Sequence, residues 1–212
     1  MTVFEVVLPS LKKDPVLLQE FAKTLAPGFV SLLRDAGARN GHRGYLVTED
    51  GRDQKGEYRE ILVLEWPDAT YFQNFVASPG FAEFQGKLKE KIAAGPAVLK
   101  LFDAADDDVS GVFQPDHSVL EYLAIKPRDA SPASVQGLVE KVQAGLPGFG
   151  TAKVALGSTV NLEAQEIGLL SLHANDAEFD AAKTATGRQQ LLDSIAAEAD
   201  VVSMVAHVEK VI

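Results

Sequence analysis

Residues 60–102, EILVLEWPDATYFQNFVASPGFAEFQGKLKEKIAAGPAVLKLF, decide how the rest of the chain is read. The run up to Trp66 is almost wholly apolar and too short for a helix, so it predicts a buried strand. Pro67-Asp68 turns the chain. Phe72, Phe75, Phe81, Phe84 and Leu88 then recur at helical spacing, in two pieces separated by Ser78-Pro79-Gly80. Gly95-Pro96 ends the helical region, and Val98–Phe102 supplies a closing strand.

Working upstream, Thr2–Leu8 is a short run rich in Val and Phe, stopped by Pro9, and reads as a strand. Asp14-Pro15 starts a helix, because Asp accepts free backbone amides at the cap and Pro is preset for the first turn. Leu17, Leu18, Phe21 and Leu25 give that helix one apolar face, and Pro27-Gly28 ends or kinks it. Gly37, Asn40, Gly41 and Gly44 predict a loop before a second strand at Tyr45–Thr48. Polar Glu49–Glu57 predicts a hairpin loop into a third strand, Tyr58–Trp66. The resulting order is strand, helix, strand, strand, helix, strand.

The remainder repeats this unit. Val119–Tyr122 aligns with Val3–Val6, and Ser131-Pro132 aligns with Asp14-Pro15 as cap and first helical residue. Phe179, Gly187, Leu191, Ile195 and Val205 align without a gap to Phe72, Gly80, Phe84, Leu88 and Val98. The first half holds ten more residues than the second, all within Phe29–Tyr58, where Arg34, Arg39, Asn40, His42 and Arg43 cluster. Residues 1–105 and 117–212 are therefore read as two α+β repeats joined by an acidic linker, 106–116. Asp106, Asp108, Ser110 and Gly111 match the opening of a calcium loop. Its twelfth position, however, is His117, which offers no bidentate carboxylate, so a solvated linker is expected.

A net charge of −10 disfavours a nucleic-acid or anionic-membrane surface. The absence of cysteine excludes disulfides, thiolate-ligated metals and a cysteine nucleophile. The four histidines, His42, His117, His173 and His207, show no metal-ligand spacing, and no phosphate-binding loop or nucleophile elbow is present. No bound cofactor is expected. With no spanning apolar run and no basic start before the first apolar segment, the chain is expected to be cytoplasmic.

The segment W-P-D-A-x-x-F…S-P-x-F-x-x-F…G-P, from Trp66 to Pro96, resembles the antibiotic biosynthesis monooxygenase (ABM) family of the dimeric α+β barrel superfamily. The resemblance implies two ferredoxin-like units packed sheet against sheet, here from one chain as an intramolecular pseudo-dimer, with a further homodimer left open. It also implies a cleft for a small hydrophobic or aromatic ligand. Activities implied are cofactor-free oxygenation of polyketide-like phenols, cyclisation or isomerisation, or haem degradation. A non-catalytic ligand-binding or stress-related role is implied as well. The carry-over is incomplete: the asparagine four residues before the tryptophan in quinone-forming members is Leu62 here. The asparagine or histidine that other members place on the first strand is absent, as is the histidine on the helix after the tryptophan. If haem were bound, His42 or His117 would be its axial ligand.

Glu5 and Glu121 occupy equivalent places in otherwise apolar strands. Such a carboxylate reaches water, finds a partner such as Arg, or has its pKa raised into the range of a general base. Glu65 has the same strand parity and would share a face with Glu5 if the first and third strands pair. The principal pocket is expected in the first half. Glu5, Glu65, His42 and Tyr45 are its candidate catalytic residues, and Trp66, Tyr58, Arg43, Phe4 and Leu64 its candidate substrate contacts. Packing alone is the competing account of Trp66 and of the two tyrosines, and a solvated loop that of His42.

Overall fold

The computed structural model describes residues 2–105, 109–113, 117–149, 153–162 and 165–212, without the side chain of His117. Strand β1 (Val3–Leu8) leads through α1 (Pro15–Thr24) and α2 (Ala26–Asp35) to β2 (Arg39–Glu49), the short β3 (Arg52–Asp53) and β4 (Glu60–Trp66). Helices α3 (Ala69–Val76) and α4 (Pro79–Lys91) and strand β5 (Val98–Ala104) complete the first half. The second half follows with β6 (His117–Pro127), α5 (Pro132–Gly145), β7 (Lys153–Thr159) and β8 (Ile167–His173). It ends with α6 (Asp176–Lys183), α7 (Thr186–Ile195) and β9 (Ala199–Lys210).

Local chemistry sets the helix starts. Asp14 accepts from the Val16 and Leu17 amides at 2.9 and 3.2 Å, and Asp68 accepts from Thr70 at 2.7 Å. Ser78 and Ser131 cap α4 and α5 in the same way, each followed by proline. The proline expected to interrupt the first helix falls in the opening turn of a new one: α1 stops at Thr24 and α2 leaves it at 44°. Among the described residues no single helix is long and apolar enough to cross a membrane.

The strands run antiparallel in the order β2-β4-β1-β5-β7-β8-β6-β9, and β9 pairs back to β2, closing an eight-strand barrel with β3 appended. Each half has the ferredoxin-like order of second, third, first and fourth strand. The halves join where β5 meets β7 and β9 meets β2. This is the single-chain α+β barrel that the resemblance implied.

Two expectations about the first half are corrected. Residues 39–44 form strand, not loop. Gly44 pairs with Val208 of β9, and a Cβ there would stand 1.9 Å from the His207 carbonyl oxygen. Gly44 thus marks a close strand contact rather than a turn. Tyr58 does not begin the third strand: its φ is +51°, and β4 starts at Glu60.

The barrel interior is filled, with Phe4 and Phe102 stacked at 4.9 Å among Leu120, Tyr122, Leu170 and Met204. Within the expected linker, residues 106–108 and 114–116, including Asp106 and Asp108, lie outside the described residues. Its described part is not solvated. Val109, Val112 and Phe113, around a short 3-10 turn at Ser110–Phe113, are buried in the barrel core. Also inside, Lys100 bonds both oxygens of Glu166 at 2.7 and 2.9 Å, and Tyr122 donates to the same carboxylate.

Candidate active site

Register decides which side chains reach the cleft between sheet and helices. Glu5 pairs with Leu64 and Leu101, and Val3 with Trp66, so these residues point from the sheet towards Phe72, Phe75 and Phe81 on α3 and α4. Phe4, the next residue along β1, pairs with Glu65 and Phe102 and points into the barrel.

The first-half cleft encloses a cavity of about 230 Å³. Its walls are largely apolar: Phe21, Phe29, Phe75, Phe81 and Phe84 face the aliphatic strand residues Val7, Leu62 and Leu64. Three charged residues, Glu5, Arg43 and Glu60, interrupt that lining.

Glu5 is 3 % exposed, and its Oε2 accepts a hydrogen bond from Trp66 Nε1 at 2.8 Å. Trp66 is held by Phe75 at 5.5 Å and, edge-on, by Phe72 at 6.2 Å. Burial pushes the Glu5 carboxyl up to about 7, against the opposing pull of the Trp66 N–H. Arg43 is committed elsewhere. Its Nε and Nη2 both bond Glu60, the latter at 3.1 Å, and its guanidinium lies 5.2 Å from the Phe21 ring.

The second half inverts this chemistry. Glu121, the counterpart of Glu5, is bound by Arg188 at 2.5 Å and by Ser203 at 3.2 Å. Arg188 stands where the first half has Phe81. His173 replaces Trp66 and contacts Ser171 instead of the carboxylate, at 3.2 Å. The Leu146–Phe149 turn pushes Phe149 into the cluster of Leu123, Leu138, Leu156, Leu191 and Ile195. That insertion needs Gly148 against Gly187, since a Cβ on Gly187 would lie 2.7 Å from the Gly148 Cα. The second cleft is therefore packed and neutralised.

The structure brings together only part of the predicted set. Glu5, Arg43 and Leu64 line the cavity, and Trp66 supports Glu5 from behind. Glu65 does not share a face with Glu5: it lies opposite Phe4 and accepts from Asn40 at 2.7 Å. His42 is fully buried opposite Val63, on the barrel side, with its ring 5.9 Å from Phe113. Phe4 is likewise a barrel-core residue. Tyr45 is 39 % exposed and lies outside the cavity lining, and Tyr58 packs with the α1 cluster around Leu18 and Phe84. Glu60 was missed because it reads as a strand-end acid. Its cross-strand neighbours Arg43 and Tyr45 were the signal that could have revealed it.

Among the described residues, none that lines the cavity carries an imidazole, thiol or phenol to serve as an axial ligand for haem; His42 is turned into the barrel, and the His117 side chain lies outside the described residues.

No protein-family model matches the chain, and no curated protein matches it in sequence. Solved structures do match. A protein of Fusobacterium nucleatum provisionally assigned as a monooxygenase superposes with a TM-score of 0.64 at 12% identity, covering 100% of this chain and 93% of its own. An anthrone oxidase-like protein gives 0.64 at 8% identity, covering 98% and 91%. A chlorite dismutase variant from Candidatus Nitrospira defluvii gives 0.56 at 13% identity, covering 99% and 92%. The fold is that of the dimeric α+β barrel proteins, completed within one chain.

Proposed function

We propose that the chain is a small-molecule enzyme of the ABM-like kind, in which Glu5 removes a proton from an acidic phenol or carbon of a flat aromatic substrate held in the first-half cavity. One observation carries this reading. Glu5 is a carboxylate without an ion-pair partner among the described residues, raised to about 7, at the wall of a chamber whose other charged residues, Arg43 and Glu60, are paired with each other. A base with a pKa near ambient pH combines useful strength with a useful ionised fraction. The Trp66 N–H holds the carboxylate in place and leaves its other oxygen, Oε1, for the substrate proton.

Proton loss leaves an electron-rich anion. With dioxygen as co-reactant, an activated ring methylene and O₂ become a ring carbonyl and water. Without it, the proton returns to a different carbon and the outcome is isomerisation. The anthrone oxidase-like neighbour supports the oxygenation arm and makes anthrone the natural probe. The cytoplasmic location and the further homodimer remain parts of the same proposal.

Oxygen uptake and quinone absorbance are measured together with anthrone. Wild type should turn over with one O₂ per product, and Glu5→Gln should lose about 100-fold or more of the rate. Equal rates in the two proteins would remove Glu5 from the chemistry. Leu62, standing where quinone-forming members have asparagine, favours a second reading, a ligand carrier. Quenching of Trp66 by anthrone with no turnover would select it.

A further inference from the structure

The Arg43–Glu60 pair is not required by the fold. By strand register its counterparts in the second half are Leu156 and Ile167, both buried in that half's apolar core. A buried ion pair carries a desolvation penalty of several kcal/mol per ion, and apolar residues of similar volume are commonly as stable or more so. The first half nevertheless keeps the pair in the wall of its cavity, with the Glu60 side chain 6% and the Arg43 side chain 18% exposed.

The pair also has binding capacity to spare. A guanidinium carries five N–H donors, more than Glu60 and Tyr45 take from Arg43. Glu60 neutralises the arginine, so the site suits an uncharged oxygen better than a carboxylate, which Glu60 would repel. Position completes the argument. Leu64 lies opposite Glu5, and Glu60 precedes Leu64 by four residues on the same face of β4, about 14 Å along the strand. Phe21, Phe29, Phe75, Phe81 and Phe84 line the cavity that both ends share.

We infer that Arg43 and Glu60 form the specificity anchor of this cavity, taking a hydroxyl or carbonyl oxygen at the far end of a flat fused-ring substrate whose acidic group lies at Glu5. The inference rests on the cavity being the ligand site, as proposed above, but not on turnover.

Titration calorimetry with 2-naphthol, 2,6-dihydroxynaphthalene and 6-hydroxy-2-naphthoate tests it. Wild type should bind the diol about tenfold more tightly than 2-naphthol, the size of one hydrogen bond to a charged group, and should bind the carboxylate more weakly than the diol. The double variant Arg43→Leu/Glu60→Ile copies the second half and should bind diol and 2-naphthol alike. Glu60→Gln, a milder change, should shift preference towards the carboxylate. Glu5→Gln should keep the preference for the diol, so loss of turnover and loss of discrimination are read separately. The anchor is overturned if the double variant still discriminates, if wild type binds the carboxylate as well as the diol, or if wild type binds none of the three. Discrimination without anthrone turnover would leave the anchor standing and remove only the oxygenase reading.

Discussion

Glu5 gives the molecule a measurable pH signature. Its carboxyl moves from an ordinary 4.5 to about 7 on folding, chiefly through burial. Between those values the folded state holds a proton that the unfolded chain has released, so this group's contribution is full below pH 4.5 and is lost as pH rises through 7. The loss amounts to roughly 3 kcal/mol. Glu5→Gln retains an oxygen for the Trp66 N–H and removes the charge. Urea unfolding should therefore find the variant close to wild type at pH 4.5 and more stable at pH 8, and equal stability at pH 8 would contradict the desolvated carboxyl. Trp66 is the single tryptophan of the chain. Its fluorescence should accordingly titrate near pH 7 in wild type and stay flat in Glu5→Gln, and kcat/KM should rise through the same midpoint.

At the level of elements, β2 is the strand on which closure depends, since it pairs with β4 in its own half and with β9 from the other. Gly44→Ala would drive a methyl group into the His207 carbonyl and should cost roughly 3 kcal/mol or more in urea unfolding. Gly86→Ala is the control. It is exposed within α4 with nothing within 4 Å of the added carbon, and should gain about 0.5–1 kcal/mol. A Gly44 variant as stable as wild type would show that β2 and β9 do not approach as described. The same strand shows what the sequence could reveal. The caps at Asp14 and Ser131 and the phenylalanine spacing of α3 and α4 are local signals, and they were legible, whereas Asp68 and Ser78 read as a turn and a break and prove to be caps as well. The partner that makes residues 39–44 a strand is β9, at the far end of the chain, so the glycines there read as a loop. Parity along β1 and β4 was also legible, but it fixes only alternation. Which residues share a face depends on the register between strands, and that register sets Glu5 opposite Leu64 and sends Phe4, His42 and Glu65 inward.

For the whole molecule, each half alone would present the inner face of its sheet, with Phe4, Phe102, Leu120, Leu170 and Met204 stripped of their partners. It would also expose the strand edges at β2, β5, β7 and β9. Residues 1–105 and 117–212 expressed separately should self-associate or precipitate, and co-expression should restore a soluble complex, both judged by size-exclusion chromatography. Two well-behaved monomers would argue against a shared core. Covalent joining of the halves has one more effect. A barrel assembled from two copies of one polypeptide must carry every substitution twice, in both clefts at once. Here positions 81 and 188 are separate letters of one chain. Phe81 can leave Glu5 uncompensated and reactive while Arg188 silences Glu121, and the instability that accompanies a reactive acid is incurred once per molecule instead of twice.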